Sequence, residues 1–357
     1  MVAYRGEPDF SHDRPDRLGI LLVNLGTPAS PDPAAVRRFL AEFLSDPRVV
    51  EAPRLLWRLV LHGVILRIRP RKSAHAYQQI WTEAGSPLLI HSRELATTLQ
   101  AKLGPDVAVA LGMTYGEPAI AQALRELQAQ GAHRLLVLPL YPQYSGTTTA
   151  SVFDRVTQEL RRWRWVPELR FVNGYADEPA YIDAIAASIR THWRTHERTH
   201  LVFSFHGIPR RYFFAGDPYY CHCQKTARLV AQRLELADSD WSVSFQSQVG
   251  REKWLKPYTD QLLSEYAQRG PKHVTVVCPG FATDCLETLE EIALRNRTTF
   301  LQSGGESFSY VPALNASDAH VDLLRELIAK HTAGWHAPDA ATRAERRERA
   351  LALGAPR

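Results

Sequence analysis

The chain has 357 residues, a formal net charge of +5, 45% hydrophobic and 23% charged residues, the balance of a soluble globular protein long enough for two domains with separate cores. So mild a charge does not predict nucleic-acid binding, which shows as a dense basic stripe, but it suits an anionic substrate or an anionic membrane surface. Four cysteines are too few for a disulfide framework and imply a reducing compartment, and the polar stretch 1–17 is neither a secretory signal nor an anchor, so cytoplasmic residence is expected.

In chain order, strand signals alternate with helical ones, the pattern of an α/β protein with mainly parallel sheets. Residues 19–25 form an apolar run that ends in Gly26-Thr27-Pro28, a buried strand entering a loop. A helix over 33–44 follows, and then the segment 53–72 mixes Trp57, Leu59, Leu61, Ile65 and Ile68 with Arg54, Arg58, Arg67, Arg69, Arg71 and Lys72. Two readings of that segment stay open: a surface that lies on a membrane or lips an apolar pocket, and a packed helix with snorkelling arginines. A helix from about Ser92 to Leu103, a strand over 107–113, a helix through Gln130 and a strand over 133–140 lead to Tyr141-Pro142-Gln143-Tyr144-Ser145. The basic cluster Arg161-Arg162-Trp163-Arg164-Trp165 at the end of the next helix reads as cations against the negative helix terminus with tryptophans packed beneath.

A strand over 169–172 closes the first half, and a long helix from Glu178 leads to Leu201-Val202-Phe203-Ser204-Phe205-His206-Gly207-Ile208-Pro209. His206 is the last ordered residue of a strand buried on both faces. The crevice outside the carboxyl ends of such strands is where α/β folds bind ligands, so an imidazole there is a candidate for proton or metal chemistry. A second buried strand, 274–279, runs into Gly280-Phe281-Ala282-Thr283-Asp284-Cys285-Leu286-Glu287. On an α-helical wheel of about 100° per residue, Asp284, Glu287 and Glu291 fall within roughly 60° of one another, opposite Leu286, Leu289 and Ile292. An imidazole and a line of carboxylates around one cleft suit a divalent ion such as Fe(II) and also proton removal. The two halves echo each other in helix, Gly turn and apolar strand, which predicts two similar Rossmann-like domains, 18–172 and 173–330, with parallel sheets facing each other across a cleft. A tail over 331–357 is expected to fray.

Leu-Val-Asn-Leu-Gly-Thr-Pro at 22–28, Tyr-Pro-Gln-Tyr-Ser at 141–145, Ser-Phe-His-Gly-Ile-Pro with Gly-Asp-Pro-Tyr within 204–219, and Phe-Ala-Thr-Asp-Cys-Leu-Glu-Thr-Leu-Glu-Glu at 281–291 resemble the motifs of ferrochelatases of the bacterial type. The resemblance implies a lyase-class metal chelatase that inserts Fe(II) into protoporphyrin IX, the last step of haem synthesis. It assigns His206 and Glu287 as the catalytic and metal pair, with Asp284 and Glu291 extending a proton and metal route. It places Leu25, Tyr77, Ser86, Tyr115 and Phe281 in the porphyrin pocket, sets Arg69 or Arg71 against a propionate, and makes 53–72 a pocket lip in peripheral contact with a membrane. No cofactor beyond the substrate iron is implied. Animal members carry an iron–sulfur cluster, but Gly146 stands at its first cysteine position and no cysteine follows Cys285, so that cluster is not expected. Cys285 occupies a position where some relatives have histidine, and Arg295 one where some continue the acidic row. The rival functions are a chelatase for coproporphyrin or sirohydrochlorin and a non-catalytic haem or metal carrier. Dinucleotide binding is disfavoured, since no G-x-G-x-x-G follows the first strand.

Overall fold

A computed structural model describes residues 4–7, 10–250, 252–335 and 340–355. Eight strands form two four-stranded sheets in which every neighbouring pair is parallel. The first sheet holds β1 (Arg17–Asn24), β2 (Val107–Met113), β3 (Ala132–Pro139) and β4 (Glu168–Phe171) in the order β2-β1-β3-β4. The second holds β5 (His200–His206), β6 (Trp241–Gln246), β7 (His273–Val277) and β8 (Ser307–Val311) in the order β6-β5-β7-β8. The orders are the same, so the faint echo between the halves in sequence is a repeat of topology. The chain is thus two Rossmann-like α/β units, as predicted.

Strand alternation explains why the central strands read as unbroken apolar runs. Ile20 and Leu22 of β1 point into one core and Leu21 and Val23 into another, because helices cover both faces of the sheet. The first of these cores also takes Phe203 and Phe205 of β5 and Ile182, Ile185 and Ile189 of the helix Pro179–His192. One continuous apolar body therefore joins the two sheets and holds their strand ends in fixed relation.

The tail differs from expectation. Its Ala, Arg and Glu residues, all good helix formers, build a helix Ala340–Ala352. Arg346 Nε donates to the His12 carbonyl at 2.9 Å and Arg347 pairs with Asp13 at 3.4 Å, so the helix is tied back to the N-terminal segment. Of the tail, 336–339 and 356–357 lie outside the described residues, as do 1–3 and 8–9 of the N-terminal stretch. Among the described residues no helix is long and apolar enough to cross a membrane.

Candidate active site

Strand order reverses between β1 and β3 and again between β5 and β7, and at such switch points the following loops diverge and open a crevice. The four loops that leave these strands are those carrying the sequence motifs. They are bonded to one another across the halves. Asn24, at the end of β1, donates to Ser92 Oγ at 3.1 Å and to Thr283 Oγ1 at 3.0 Å. Asp217 accepts from Ser145 Oγ at 3.0 Å and the Gly146 amide at 2.7 Å, and within the second half Tyr181 donates to the Pro279 carbonyl at 2.6 Å. Gly26 lets the first loop turn: at φ +105° an added Cβ would lie 1.8 Å from the Tyr115 carbonyl oxygen, which no side chain survives.

His206 ends β5 half-buried, with the rings of Trp254 and Phe281 each 6.4 Å from its own. Its Nδ1 lies 2.6 Å from the Gly207 carbonyl oxygen. A carbonyl only accepts, so Nδ1 carries the proton of this bond and Nε2 is the nitrogen left for other partners.

The stretch after β7 departs from the helical wheel assumed above. Residues Glu287–Asn296 form a π-helix, a rare form with i→i+5 bonds that is frequent at functional sites. Its wider turn brings residues four apart, such as Glu287 and Glu291, closer to one line than an α-helix does. Asp284 precedes this helix and does not join the row. It is buried, and its oxygens accept from Tyr310 OH at 2.6 Å, Asn315 Nδ2 at 2.8 Å and Thr288 Oγ1 at 2.9 Å. Thr288 Oγ1 in turn accepts from the Cys285 amide at 2.9 Å, so Asp284 anchors the start of the π-helix in the core. Leu286 packs towards the lip helix in the cluster of Leu61, Leu66 and Tyr77, whereas Ile292 enters a core of the second half.

Half-buried Glu287 interacts electrostatically with Arg69, Tyr77 and Cys285. Burial pulls the Arg69 guanidinium down and Glu287 opposes that shift. Burial, then Glu287, pushes the Tyr77 phenol and the Cys285 thiol well up, so Cys285 stands beside Glu287 as a thiol rather than a ligand thiolate. Burial likewise raises the Glu291 carboxyl, against the Ser247 hydroxyl, Arg295 and His206. Both oxygens of Glu291 accept from Ser247, from the amide at 2.8 Å and from Oγ at 2.5 Å. Among the described residues no three His, Cys, Asp or Glu side chains are grouped to hold a metal ion, so the predicted pair gains no third donor of these types.

The remaining candidates separate into two groups. Leu25, Tyr77, Phe281 and Arg69 border the crevice or Glu287. Arg71, by contrast, is exposed on the outside of its helix. Tyr115 is fully buried beneath the lip, its hydroxyl donating to Asp46 at 2.9 Å, and buried Ser86 accepts from Thr27 at 2.8 Å. These two support the wall from behind, because their polar atoms are spent on core partners. Gln246 and Ser247 were missed, since β6 alternates Trp241, Val243 and Phe245 with polar residues; that alternation was the available signal. A separate groove of about 560 Å³, lined by Asp260, Glu265, Arg269 and Arg295 among others, contains none of the candidate residues.

The segment 53–72 folds as a helix Arg54–Val60, a π-turn Leu61–Ile65 and the start of a helix Leu66–Ile80. Leu61 and Leu66 pack into a core while Leu55, Leu59 and Ile68 are 79%, 72% and 71% exposed, so the segment packs by one face and leaves a second apolar face open. The Arg161–Trp165 cluster does pack as expected in part: Trp163 is buried, with Nε1 donating to Glu159 at 3.2 Å.

Two switch-point crevices face to face, with an imidazole on one strand end and a line of carboxylates on the next, define a two-domain metal chelatase. Solved structures share the fold: the sirohydrochlorin chelatase SirB of Bacillus subtilis subspecies spizizenii, in complex with cobalt, matches with a TM-score of 0.53 at 12% identity, covering 90% of this chain and 100% of that one. SirB from Bacillus subtilis with Fe3+ matches at 0.52 and 14% identity over 69% of this chain and 92% of that one. The chain belongs to the ferrochelatase family, whose model matches residues 17–332. It is 55% identical to the ferrochelatase of Nitrosococcus oceani over 99% of both chains and 52% identical to that of Polaromonas sp. over the full length of both.

Proposed function

We propose that the chain inserts Fe(II) into protoporphyrin IX to form protohaem, with His206 Nε2 accepting pyrrole protons and Glu287, continued by Glu291, receiving iron and carrying protons away. The tautomer of His206 carries this reading. A porphyrin must release two N–H protons as the metal enters, and an imidazole whose Nδ1–H is held by the Gly207 carbonyl presents Nε2 to accept them. Carboxylates on a neighbouring strand end offset the charge of the dication as it sheds water. Leu25 and Phe281 offer apolar contact to the macrocycle and Arg69 balances Glu287; Asp284 acts only by anchoring the π-helix. No iron–sulfur cluster takes part. The chelatase works in the cytoplasm, where the exposed Leu55, Leu59 and Ile68 among Arg54, Arg58 and Arg71 form a lip that meets an anionic membrane, from which an apolar substrate arrives.

The test is anaerobic Fe(II) insertion followed by porphyrin absorbance, with protoporphyrin IX and coproporphyrin III run in parallel. Faster turnover of protoporphyrin IX supports the reading. Porphyrin or haem binding without any turnover overturns it in favour of a carrier. For the lip, Leu55→Ser, Leu59→Ser and Ile68→Ser together should abolish co-flotation with phosphatidylglycerol vesicles while insertion into detergent-dispersed porphyrin continues.

A further inference from the structure

The end of β6 holds both partners of the reaction site, which the motifs themselves do not explain. Gln246 is the ladder neighbour of His206 and is 3% exposed. Its backbone carbonyl accepts from the Gly207 amide at 2.8 Å, and Gly207 is the residue whose own carbonyl sets the His206 ring. Its side-chain Nε2 donates to the Glu287 carbonyl at 2.7 Å. Its Oε1 accepts from Ser204 Oγ at 2.7 Å and from Cys278 Sγ at 3.5 Å, so the amide is held in one orientation. Ser204 bonds to Thr259 at 2.9 Å, and Thr259 donates to Ser244 at 2.9 Å. A buried chain of hydroxyls therefore locks Gln246 from below.

Ser247 continues the clamp. It presents its amide and its hydroxyl together to the two oxygens of Glu291, and to do so its backbone takes φ +65°. A non-glycine residue in that region costs free energy, and such strain collects where surrounding structure imposes it at functional sites. Glycine would relieve the strain but lacks the hydroxyl that Ser247 places on Glu291.

We propose that Gln246 and Ser247 are positioning residues for metal insertion, fixing the spacing of His206 from Glu287 and Glu291. Gln246 sets the register of the π-helix against β5. Ser247 sets the direction of the Glu291 carboxylate. Neither needs to touch porphyrin or iron. This inference rests on the assignment of His206, Glu287 and Glu291 as the reaction site.

The experiment measures kcat and the KM for protoporphyrin IX in anaerobic Fe(II) insertion, together with thermal unfolding, for Ser247→Gly, Ser247→Asn, Gln246→Leu, His206→Ala and Glu287→Gln. Ser247→Gly should keep or raise the melting temperature, since glycine accepts φ +65° without strain. It should lower kcat roughly tenfold, because small misplacements of reacting groups cost one to two orders of magnitude, and leave KM unchanged. Ser247→Asn, which tolerates the same backbone and supplies an amide donor, should recover part of kcat. Gln246→Leu should lower kcat at unchanged KM. Full kcat in Ser247→Gly and Gln246→Leu, with His206→Ala and Glu287→Gln inactive, overturns the positioning role alone. Full kcat in His206→Ala and Glu287→Gln overturns the site assignment beneath it. A loss in Ser247→Gly that follows a lowered melting temperature also overturns the inference, because the serine would then serve stability.

Discussion

The two sheets share one strand order, yet their switch points carry different chemistry. At the ends of β1 and β3 stand Asn24, Leu25, Thr27, Gln143 and Ser145, neutral groups that bond across the cleft or offer apolar contact. At the ends of β5 and β7 stand His206, Asp284 and Glu287, with Glu291 one step further. One duplicated architecture thus supplies a neutral wall and a titratable wall, and in the proposed function the first half grips the macrocycle while the second moves protons and metal. The titratable wall also requires deeper support. Behind it His320 bonds through Nδ1 to the Asn315 carbonyl at 2.5 Å, Asn315 donates to Asp284, and Asp284 accepts from Thr288.

The contrast would break most visibly in turnover. His206→Ala and Glu287→Gln should each lower kcat by about 10²- to 10⁴-fold, the usual contribution of a general acid–base group, while porphyrin binding followed by tryptophan fluorescence persists. Retention of kcat in either would deny the second half its role.

The next effect is on stability against pH. Burial lowers the His320 pKa to about 4 from an ordinary 6.5. The unfolded chain therefore binds this proton more readily, so the contribution is fully present above pH 6.5 and is lost as pH falls towards 4. Its size is on the order of 3 kcal/mol. Glu291 acts with the opposite sign: its raised carboxyl gives a contribution present at low pH and lost as pH rises through the folded value. Urea unfolding at pH 7 and pH 4.5 should show native protein losing more stability on acidification than His320→Gln; equal losses would contradict the buried neutral imidazole.

Asn24→Ala sharpens the contrast from the neutral side. It deletes the bonds to Ser92 and Thr283 and leaves buried hydroxyls without that donor, at a cost of about 1–3 kcal/mol. The melting temperature should fall, and the pH at which activity is half-maximal should stay where it is. A shifted pH profile would show that the neutral wall also sets the proton chemistry. The smallest effect belongs to Leu25→Ala. Loss of apolar contact should raise the KM for protoporphyrin a few-fold, about 1 kcal/mol, with kcat nearly kept.

The fold was legible wherever burial was two-sided. β1, β3, β5 and β7 are central in their sheets, so both faces must be apolar and the runs announce themselves. β6 and β8 are edge strands with Ser242, Ser244, Ser307 and Ser309 alternating into hydrogen bonds. Their polar content hid them, and with them Gln246 and Ser247. The four motifs marked the site because residues at strand ends are adjacent in sequence to the strands that deliver them. Exposure on the lip was not legible, since apolar and basic residues at helical spacing suit either a packed or an open face.

What the sequence alone determined, then, is the α/β class, the doubled architecture and the placement of His206 and Glu287 beyond the ends of apolar strands. These depend on local pattern and on which residue follows which strand. Tertiary structure alone decided which carboxylates share a face. A π-helix has no distinct local signature, and here it is held by groups from distant parts of the chain: Gln246 on the Glu287 carbonyl, Ser247 on Glu291, and Tyr310 and Asn315 on Asp284. Those bonds turn Asp284 into the core and leave Glu287 and Glu291 in line, because a buried carboxylate goes where donors satisfy it.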